Sequence, residues 1–223
     1  MVNKVAEIYG AHMGVKLNPL TEVLGTLGAN GSLHSFIQGW LNPGDELVTF
    51  EPMFPMYLDH IEMSGGRLRA VPLNYSDKEW MFNPEELRKA LSAPNVKVFI
   101  FNSPHNPTGK VFSLEEMQLI SDILDEFPHI KVISDEVYNF LTFDKLKHQF
   151  FAKVGNNWDR TVTVFSGGKL FNCTGWKVGW AIGPQPLIHL GAVISNTVYY
   201  CFNHPGQVGM AACLEKAYEP NYK

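Results

Sequence analysis

Short apolar runs alternate along the chain with segments that carry helical signals. The apolar runs are typical of strands and lie at Glu46–Phe50, Leu68–Leu73, Val96–Phe101, Lys131–Ser134, Thr161–Phe165 and Lys177–Ile182. The helical segments between most of them are Ser32–Leu41, Pro55–Met63, Pro84–Leu91 and Leu114–Phe127. Strands that are apolar throughout are covered on both faces. The alternation therefore predicts an α/β fold in three layers, a mostly parallel sheet with helices on both faces.

Two of the predicted helices begin with recognisable capping residues. Asn83 precedes Pro84 and two glutamates, and Ser113 is followed three residues later by Glu116, which is a capping-box pattern. One connection breaks the alternation, because only 11 residues separate Phe165 from Lys177. Such a length is close to the lower limit for a helical crossover, so we expect the last strand to run antiparallel to its predecessor.

Composition and charge narrow the classes of function. The 223 residues are 45% hydrophobic and 18% charged, with a formal net charge of -4, which indicates a folded protein and disfavours nucleic acid as a partner. Three cysteines without C-x-x-C spacing support neither a disulfide framework nor a metal site. No run approaches 18 apolar residues, so no membrane span is expected. No repeat or linker divides the chain, and we predict one domain over residues 1–223.

The first candidate site is the turn Gly28–Ser32, which separates a strand-like run from a helix. Ligands of open α/β sheets bind at the carboxyl ends of the strands. The free amides of this turn and the helix dipole suit a phosphate group. A glycine-rich turn without a ligand is the alternative, since the turn matches neither standard phosphate-loop pattern.

The second candidate is the segment Asn102–Lys110, which holds two X-Pro bonds, either of which could be cis. It is interpreted as a stiff loop before a helix, or as a loop that fixes Asn106 as a side-chain donor to a ligand. We expect His105, between the prolines, to be a solvated loop residue.

The third candidate is the pair Asp135 and Glu136, at the end of an apolar strand and close to Tyr138. A carboxylate at the interior edge of a sheet is unfavourable unless it is paired, so we expect a cation to meet Asp135. A structural arginine is one candidate. All the arginines, however, lie in segments that look like surface or linker: Arg67, Arg69, Arg88 and Arg160.

The fourth candidate is the segment Ser166–Lys177, which carries Lys169 and Lys177 between two apolar strands. Surface exposure is the default interpretation for a lysine. A lysine in a glycine-containing loop at the carboxyl end of a strand, close to aromatic residues, also suits Schiff-base chemistry.

In order and spacing, these segments resemble the pyridoxal-phosphate (PLP) aminotransferases of fold type I, class I/II. The motifs are Asn106-Pro-Thr-Gly-Lys110, Ser134-Asp-Glu-Val-Tyr138, Ser166-x-x-Lys169 and Thr174-Gly-Trp-Lys-Val-Gly-Trp180. Within that class, Glu51–Phe54, Ser103–Phe112 and Gly175–Trp180 look most like the branch of kynurenine aminotransferases, glutamine transaminase K and cysteine-conjugate β-lyases. The resemblance covers nearly the whole chain and implies that residues 1–223 form the PLP-binding large domain.

The resemblance implies roles for nine residues and no role for a metal. Lys169 would bind PLP covalently and move the proton of the substrate α-carbon, and Asp135 would pair with the pyridinium nitrogen. Tyr138 and Asn106 would donate hydrogen bonds to the phenolate oxygen, and Phe54 would stack on the ring. The phosphate would be held by Ala29, Asn30, Ser166 and Lys177, the first two through backbone amides.

Three departures from the family pattern affect these expectations. Many members of the class carry Arg at the Lys177 position, although the kynurenine branch also uses Lys there. Asn30 stands where that branch usually has Tyr, which is expected to loosen phosphate binding. The small C-terminal domain with its carboxylate-binding Arg, and the N-terminal closing segment, are not found here, and no Arg follows Arg160. We therefore expect the chain to be the large domain alone, through truncation or an incomplete gene model.

The resemblance implies an enzyme that transfers an amino group from kynurenine or another large neutral amino acid to a 2-oxo acid. A cysteine-S-conjugate β-lyase and a non-catalytic PLP-binding or dimerisation module are the alternatives. A homodimer is expected, in which the segment Thr197–Phe202 reaches the substrate pocket of the other subunit. A cytoplasmic location is expected, or a mitochondrial one if a presequence precedes Met1.

Overall fold

A computed structural model describes residues 1–144 and 146–217 of the protein, and within them eight strands form one sheet. Along the sheet the strand order is β1-β8-β7-β6-β5-β2-β3-β4. The strands are β1 (Val23–Leu27), β2 (Glu46–Glu51), β3 (Arg67–Ser76), β4 (Glu79–Phe82), β5 (Val96–Asn102), β6 (Lys131–Asp135), β7 (Thr161–Ser166) and β8 (Val178–Ile182).

The central strands β3, β2, β5, β6 and β7 are parallel to their neighbours in this run. Strand β8 is antiparallel to β7, as the short connection predicts, and β1 is antiparallel to β8. Strand β4 pairs antiparallel with the end of β3. The predicted mostly parallel sheet is therefore confirmed.

Eight α-helices surround the sheet in the part of the chain that the structure describes. They are α1 (Val2–Met13), α2 (Gly28–Trp40), α3 (Met56–Met63), α4 (Pro84–Leu91), α5 (Leu114–Asp125), α6 (Gly167–Leu170), α7 (Gln185–Tyr199) and α8 (His204–Ala217). Both predicted caps form: the Asn83 side chain accepts from the Glu85 amide, and Ser113 and Glu116 make a reciprocal capping box.

Alternate residues of the central strands supply separate cores on the two faces of the sheet. On β5, Val98 and Ile100 pack with α2, α3 and α7, while Phe99 and Phe101 pack with α4 and α5. The face that α4 and α5 cover is continued by α1 and α8, which bury Phe165 of β7. The molecule thus has the three predicted layers.

Several element boundaries differ from the predictions. Helix α2 begins at Gly28 rather than Ser32, so the glycine-rich turn is itself the first turn of the helix. Strand β8 begins at Val178, because Lys177 has a left-handed backbone with φ 53°. Strand β4 was not predicted. Of the predicted domain 1–223, residues 145 and 218–223 lie outside the described residues.

None of the helices in the described ranges is both long and apolar enough to cross a membrane.

Candidate active site

The carboxyl ends of several strands meet at one edge of the sheet. Strands β2, β5, β6 and β7 are parallel, and β1 runs in the same direction because β1 and β7 are both antiparallel to β8. One cavity opens at this edge. All nine residues to which the family resemblance gives a role line it: Ala29, Asn30, Phe54, Asn106, Asp135, Tyr138, Ser166, Lys169 and Lys177.

The turn from β1 into α2 is held against β8 by a close backbone contact. Gly28 has φ 68°, a conformation that glycine adopts readily. A Cβ on Gly179 would lie 2.5 Å from the Gly28 carbonyl carbon and 2.7 Å from the Ala29 nitrogen. Only glycine therefore fits at position 179. This approach fixes the first turn of α2, whose amides have no partner within the helix, at the rim of the cavity.

Asp135 is a buried carboxylate at the wall of the cavity, 4% exposed. Its Oδ2 accepts a hydrogen bond of 2.6 Å from the Tyr57 hydroxyl, and its Oδ1 accepts a long one of 3.4 Å from the Val137 amide. Burial raises the pKa of Asp135 to about 6, against the opposing effect of the Tyr57 hydrogen bond. Burial, followed by the charge of Asp135, raises the pKa of Tyr57 well above its ordinary value.

The expected cation partner of Asp135 is not among the arginines. Arg69 pairs with Glu46, Arg88 with Glu85 and Glu126, and Arg160 with Asp125, all away from the cavity. Among the described residues no side chain forms an ion pair with Asp135. A buried carboxylate in a cavity wall without an ion-pair partner fits a cationic group of a ligand.

Asn102, at the end of β5, links the strand to the loop that follows it. Its Nδ2 donates to the backbone oxygens of Asp135 at 2.8 Å and Pro104 at 3.3 Å, and its Oδ1 accepts from the Asn106 amide at 2.8 Å. The peptide bonds before Pro104 and Pro107 are both cis. These contacts hold Asn106 at the cavity, as the second interpretation of this loop requires.

The expectation that His105 is a solvated residue is wrong. His105 is buried, its Nδ1 lies 2.8 Å from the Thr108 hydroxyl, and its amide donates to the Lys110 carbonyl. Burial, with a smaller effect of the Lys110 charge, lowers the pKa of His105 to about 4. A buried imidazole of this kind stabilises the loop from inside.

The two lysines of the fourth segment reach the cavity from different local structures. Ser166 caps the short helix α6 by accepting from the Lys169 amide, and the Lys169 Nζ lies 5.6 Å from the centre of the Tyr138 ring. Lys177 lies at the rim, in the left-handed conformation described above. Lys110, in contrast, pairs with Glu116 at 2.6 Å and does not line the cavity.

Of the two neighbouring carboxylates at the end of β6, Glu136 is structural. It is fully buried and accepts hydrogen bonds from the Ser134 hydroxyl and the Phe151 amide, and its other oxygen lies 2.6 Å from the His148 Nε2. It does not line the cavity. Within the described residues there is also no cluster of three His, Cys, Asp or Glu side chains that could hold a metal ion.

Tyr57 and Asn102 line the cavity and hydrogen-bond to Asp135, but the sequence analysis gave neither a role. Tyr57 also packs edge-on against Phe54, with ring centres 5.7 Å apart. The spacing of Tyr57 three residues after Phe54, on the first turn of a predicted helix, was the available signal. No local pattern showed that its hydroxyl would meet Asp135.

Comparisons with known proteins identify the family of the chain. The family model "Aminotransferase class I and II" matches residues 1–220. Kynurenine–oxoglutarate transaminase of Dictyostelium discoideum is 40% identical over 239 residues, with 100% of this chain and 54% of that protein covered. Kynurenine–oxoglutarate transaminase 3 of Bos taurus is 40% identical over 210 residues, with 90% and 46% covered.

A solved structure gives the same result for the fold. N-succinyldiaminopimelate aminotransferase from Mycobacterium tuberculosis matches with a TM-score of 0.93 at 35% identity, over 97% of this chain and 56% of that one. The chain thus spans about half the length of the curated relatives it matches.

Proposed function

Since the chain belongs to the aminotransferase class I and II family, we propose that it is the PLP-binding large domain of a transaminase. The transaminase passes the amino group of kynurenine, or of another large neutral amino acid, to a 2-oxo acid. The similarity to kynurenine–oxoglutarate transaminases supports this choice of donor. The observation that carries the proposal is that Asp135 and Lys169 line one cavity together with the first turn of α2.

The residues of the cavity fit PLP. Asp135, buried and without an ion-pair partner in the described ranges, suits the ring nitrogen, and Phe54 suits the face of the ring. The phosphate would be held by four residues that lie together at the rim: Ala29, Asn30, Ser166 and Lys177.

When bound, PLP supplies a carbonyl carbon that takes up the amino group and a ring that accepts the electron pair released with the α-proton. The Lys169 amine would hold the cofactor and, once displaced by the substrate, would accept the proton from the substrate α-carbon. Asp135 would keep a proton on the ring nitrogen, while Tyr138 and Asn106 would donate hydrogen bonds to the phenolate oxygen. Tyr57 orients the Asp135 carboxylate, and Asn102 holds the backbone of Asp135 and Asn106.

A homodimer is part of the proposal. The exposed apolar side chains at the end of α7 and just beyond it support this assembly, with Val198 57% and Tyr200 80% exposed. The first half of the segment Thr197–Phe202 is the last turn of α7, and the rest follows the helix. Tyr200 is the first residue after α7, and its exposed side chain is the one best placed to reach another subunit.

The proposal is tested by mapping the lysine that carries PLP. The chain is incubated with PLP, reduced with borohydride and digested, and we expect the pyridoxyl group on Lys169. Lys169→Ala should abolish labelling, whereas the exposed, remote Lys153→Ala should leave it unchanged. A label on Lys177 or Lys110 would contradict the assignment.

The reaction is tested by adding kynurenine and 2-oxoglutarate and measuring glutamate. Glutamate formation that is lost in the Lys169→Ala variant would support the transaminase. A cysteine S-conjugate that releases pyruvate without any amino acceptor would instead identify a β-lyase.

A further inference from the structure

A polar strip on α2 runs from the proposed phosphate site to a single histidine of α3. Asn30, His34 and Gln38 are spaced four residues apart, so their side chains lie on one face of α2. All three meet His60. The Asn30 Oδ1 lies 2.9 Å from the His60 Nε2, the His34 ring centre lies 5.5 Å from that of His60, and the Gln38 Nε2 donates to the His60 carbonyl at 2.9 Å.

The proposal rests on the proposed function and extends it. We propose that His60 is a positioning residue for the phosphate site: its Nε2–H donates to the Asn30 Oδ1, which leaves the Asn30 amide nitrogen to donate to the phosphate. Asn30 lines the cavity, and its side-chain nitrogen has no hydrogen-bond partner in the part of the chain that the structure describes. Asn30 would then hold the anion through its side chain as well as its backbone.

The chemistry of the two side chains sets the direction of this hydrogen bond. An amide oxygen only accepts, so the proton must lie on the His60 Nε2. The Nδ1 of His60 is buried without a partner, and an unpaired buried N–H is rarer than an unpaired acceptor. The opposite tautomer, with its proton on Nδ1, would bury an unpaired N–H. It would also require the Asn30 amide to flip, so that its nitrogen donates to the His60 Nε2.

The environment of His60 also favours the neutral ring. Burial is the main cause that lowers the pKa of His60, and the neighbouring His34 adds to it, whereas Asp59 opposes both. A neutral His60 donates through one nitrogen only, which is what the orientation of Asn30 needs. A charged ring would place a second donor on the buried Nδ1 side.

A purely structural role is the competing explanation, since Gln38 ties the His60 backbone to α2. Three substitutions distinguish the structural role of His60 from its positioning role. Gln38→Leu removes the helix-to-helix hydrogen bond and leaves the imidazole in place. His60→Leu removes the donor to Asn30, and His60→Gln restores an N–H donor at a similar distance from the backbone.

The experiment measures dissociation constants for PLP and for inorganic phosphate in the full chain. We expect His60→Leu and Asn30→Ala each to weaken both ligands about tenfold, as a lost hydrogen bond to a charged group does. The double variant should be no weaker than either single one, because both changes remove the same donor. His60→Gln should bind within about twofold of the wild type, and Gln38→Leu should lower thermal stability without changing either constant.

Wild-type affinity in His60→Leu, or additive losses in the double variant, would overturn the inference. If His60→Leu does not fold, the tautomer of His60 in the wild type, measured by long-range ¹⁵N NMR, decides: a proton on Nδ1 overturns the inference and a proton on Nε2 supports it. A wild-type chain that binds phosphate but not PLP would contradict the proposed function alone. A wild-type chain that binds neither would contradict both.

Discussion

Asp135 lowers the stability of the cofactor-free chain at neutral pH. Its pKa is raised to about 6 from an ordinary value of 3.8, so the folded state binds the proton more tightly than the unfolded state. The folded state is therefore favoured while the carboxyl is protonated, and this contribution is lost as the pH rises from about 4 through 6. A cationic ring nitrogen would remove the penalty, which links the burial of Asp135 to cofactor binding.

We predict that Asp135→Asn stabilises the PLP-free chain above pH 6. The gain should be at most about 3 kcal/mol, from a shift of roughly two pKa units, and should vanish near pH 4. Urea unfolding at pH 4 and pH 8 measures it. The exposed Asp159→Asn is the control and should show no comparable gain; a gain for Asp135→Asn that does not depend on pH would contradict the explanation.

The same substitution should impair chemistry. An amide cannot keep a proton on the ring nitrogen, and a neutral ring accepts electrons poorly. In the complete enzyme we expect Asp135→Asn to slow removal of the substrate α-proton by orders of magnitude, measured as loss of α-deuterium from a labelled amino acid. Exchange at a near-normal rate would show that Asp135 does not have this role.

At the scale of single residues, the sequence predicted the groups that carry recognisable motifs. All nine of those positions lie at one cavity. Tyr57 and Asn102 could not be found in the same way, because their partner Asp135 is 78 and 33 positions away in the chain. His105 was misjudged for a related reason, since nothing local shows that a loop histidine between two prolines packs inwards.

The contact between β8 and the start of α2 is the element-scale feature on which the phosphate site depends. We predict that Gly179→Ala lowers both stability and PLP affinity, because its Cβ would meet backbone atoms of Gly28 and Ala29 that cannot move aside independently. Overpacking of this kind typically costs about 1–3 kcal/mol. Thermal unfolding and PLP titration measure the two effects.

Gly175 provides the matched control for this prediction. It lies in the same glycine-containing motif, but a Cβ there would have nothing within 4 Å. Gly175→Ala should therefore resemble the wild type in both measurements. Equal effects of the two substitutions would show that close packing against α2 is not the cause.

The mostly parallel arrangement of the central strands was predictable because they are continuous apolar runs and most of them alternate with helical segments. Strand β4 was missed because it is short, and because its turn places Asp77 and Lys78 at positive φ without the usual Asn-Gly signal. The start of α2 was placed too late, since glycine and asparagine favour turns over helices. Packing against Gly179 overrides that local preference.

For the whole molecule, we predict a homodimer that buries the exposed end of α7. Val198→Asp should shift the protein towards a monomer, because a charge replaces an apolar contact, and analytical ultracentrifugation measures the shift. Leu119→Asp makes the same change on α5, which covers the opposite face of the sheet, and should leave assembly unchanged. A wild-type monomer with full cofactor occupancy would contradict the prediction.

The last prediction separates cofactor binding from turnover in the 223-residue chain. The proposed phosphate site, Asp135 and Lys169 all line one cavity, so the chain should bind PLP covalently through Lys169.

None of the described residues that line this cavity is an arginine. A substrate carboxylate would then lack a bidentate partner, and each hydrogen bond lost to a charged group weakens binding by about 1.5–3 kcal/mol. Poor orientation of the α-carbon against the ring slows the reaction further. We therefore expect full PLP occupancy by absorbance titration, but glutamate formation from kynurenine and 2-oxoglutarate far slower than in a full-length relative assayed alongside. Turnover at the rate of that relative would show that another group in this cavity, with Lys177 the first to test, anchors the carboxylate.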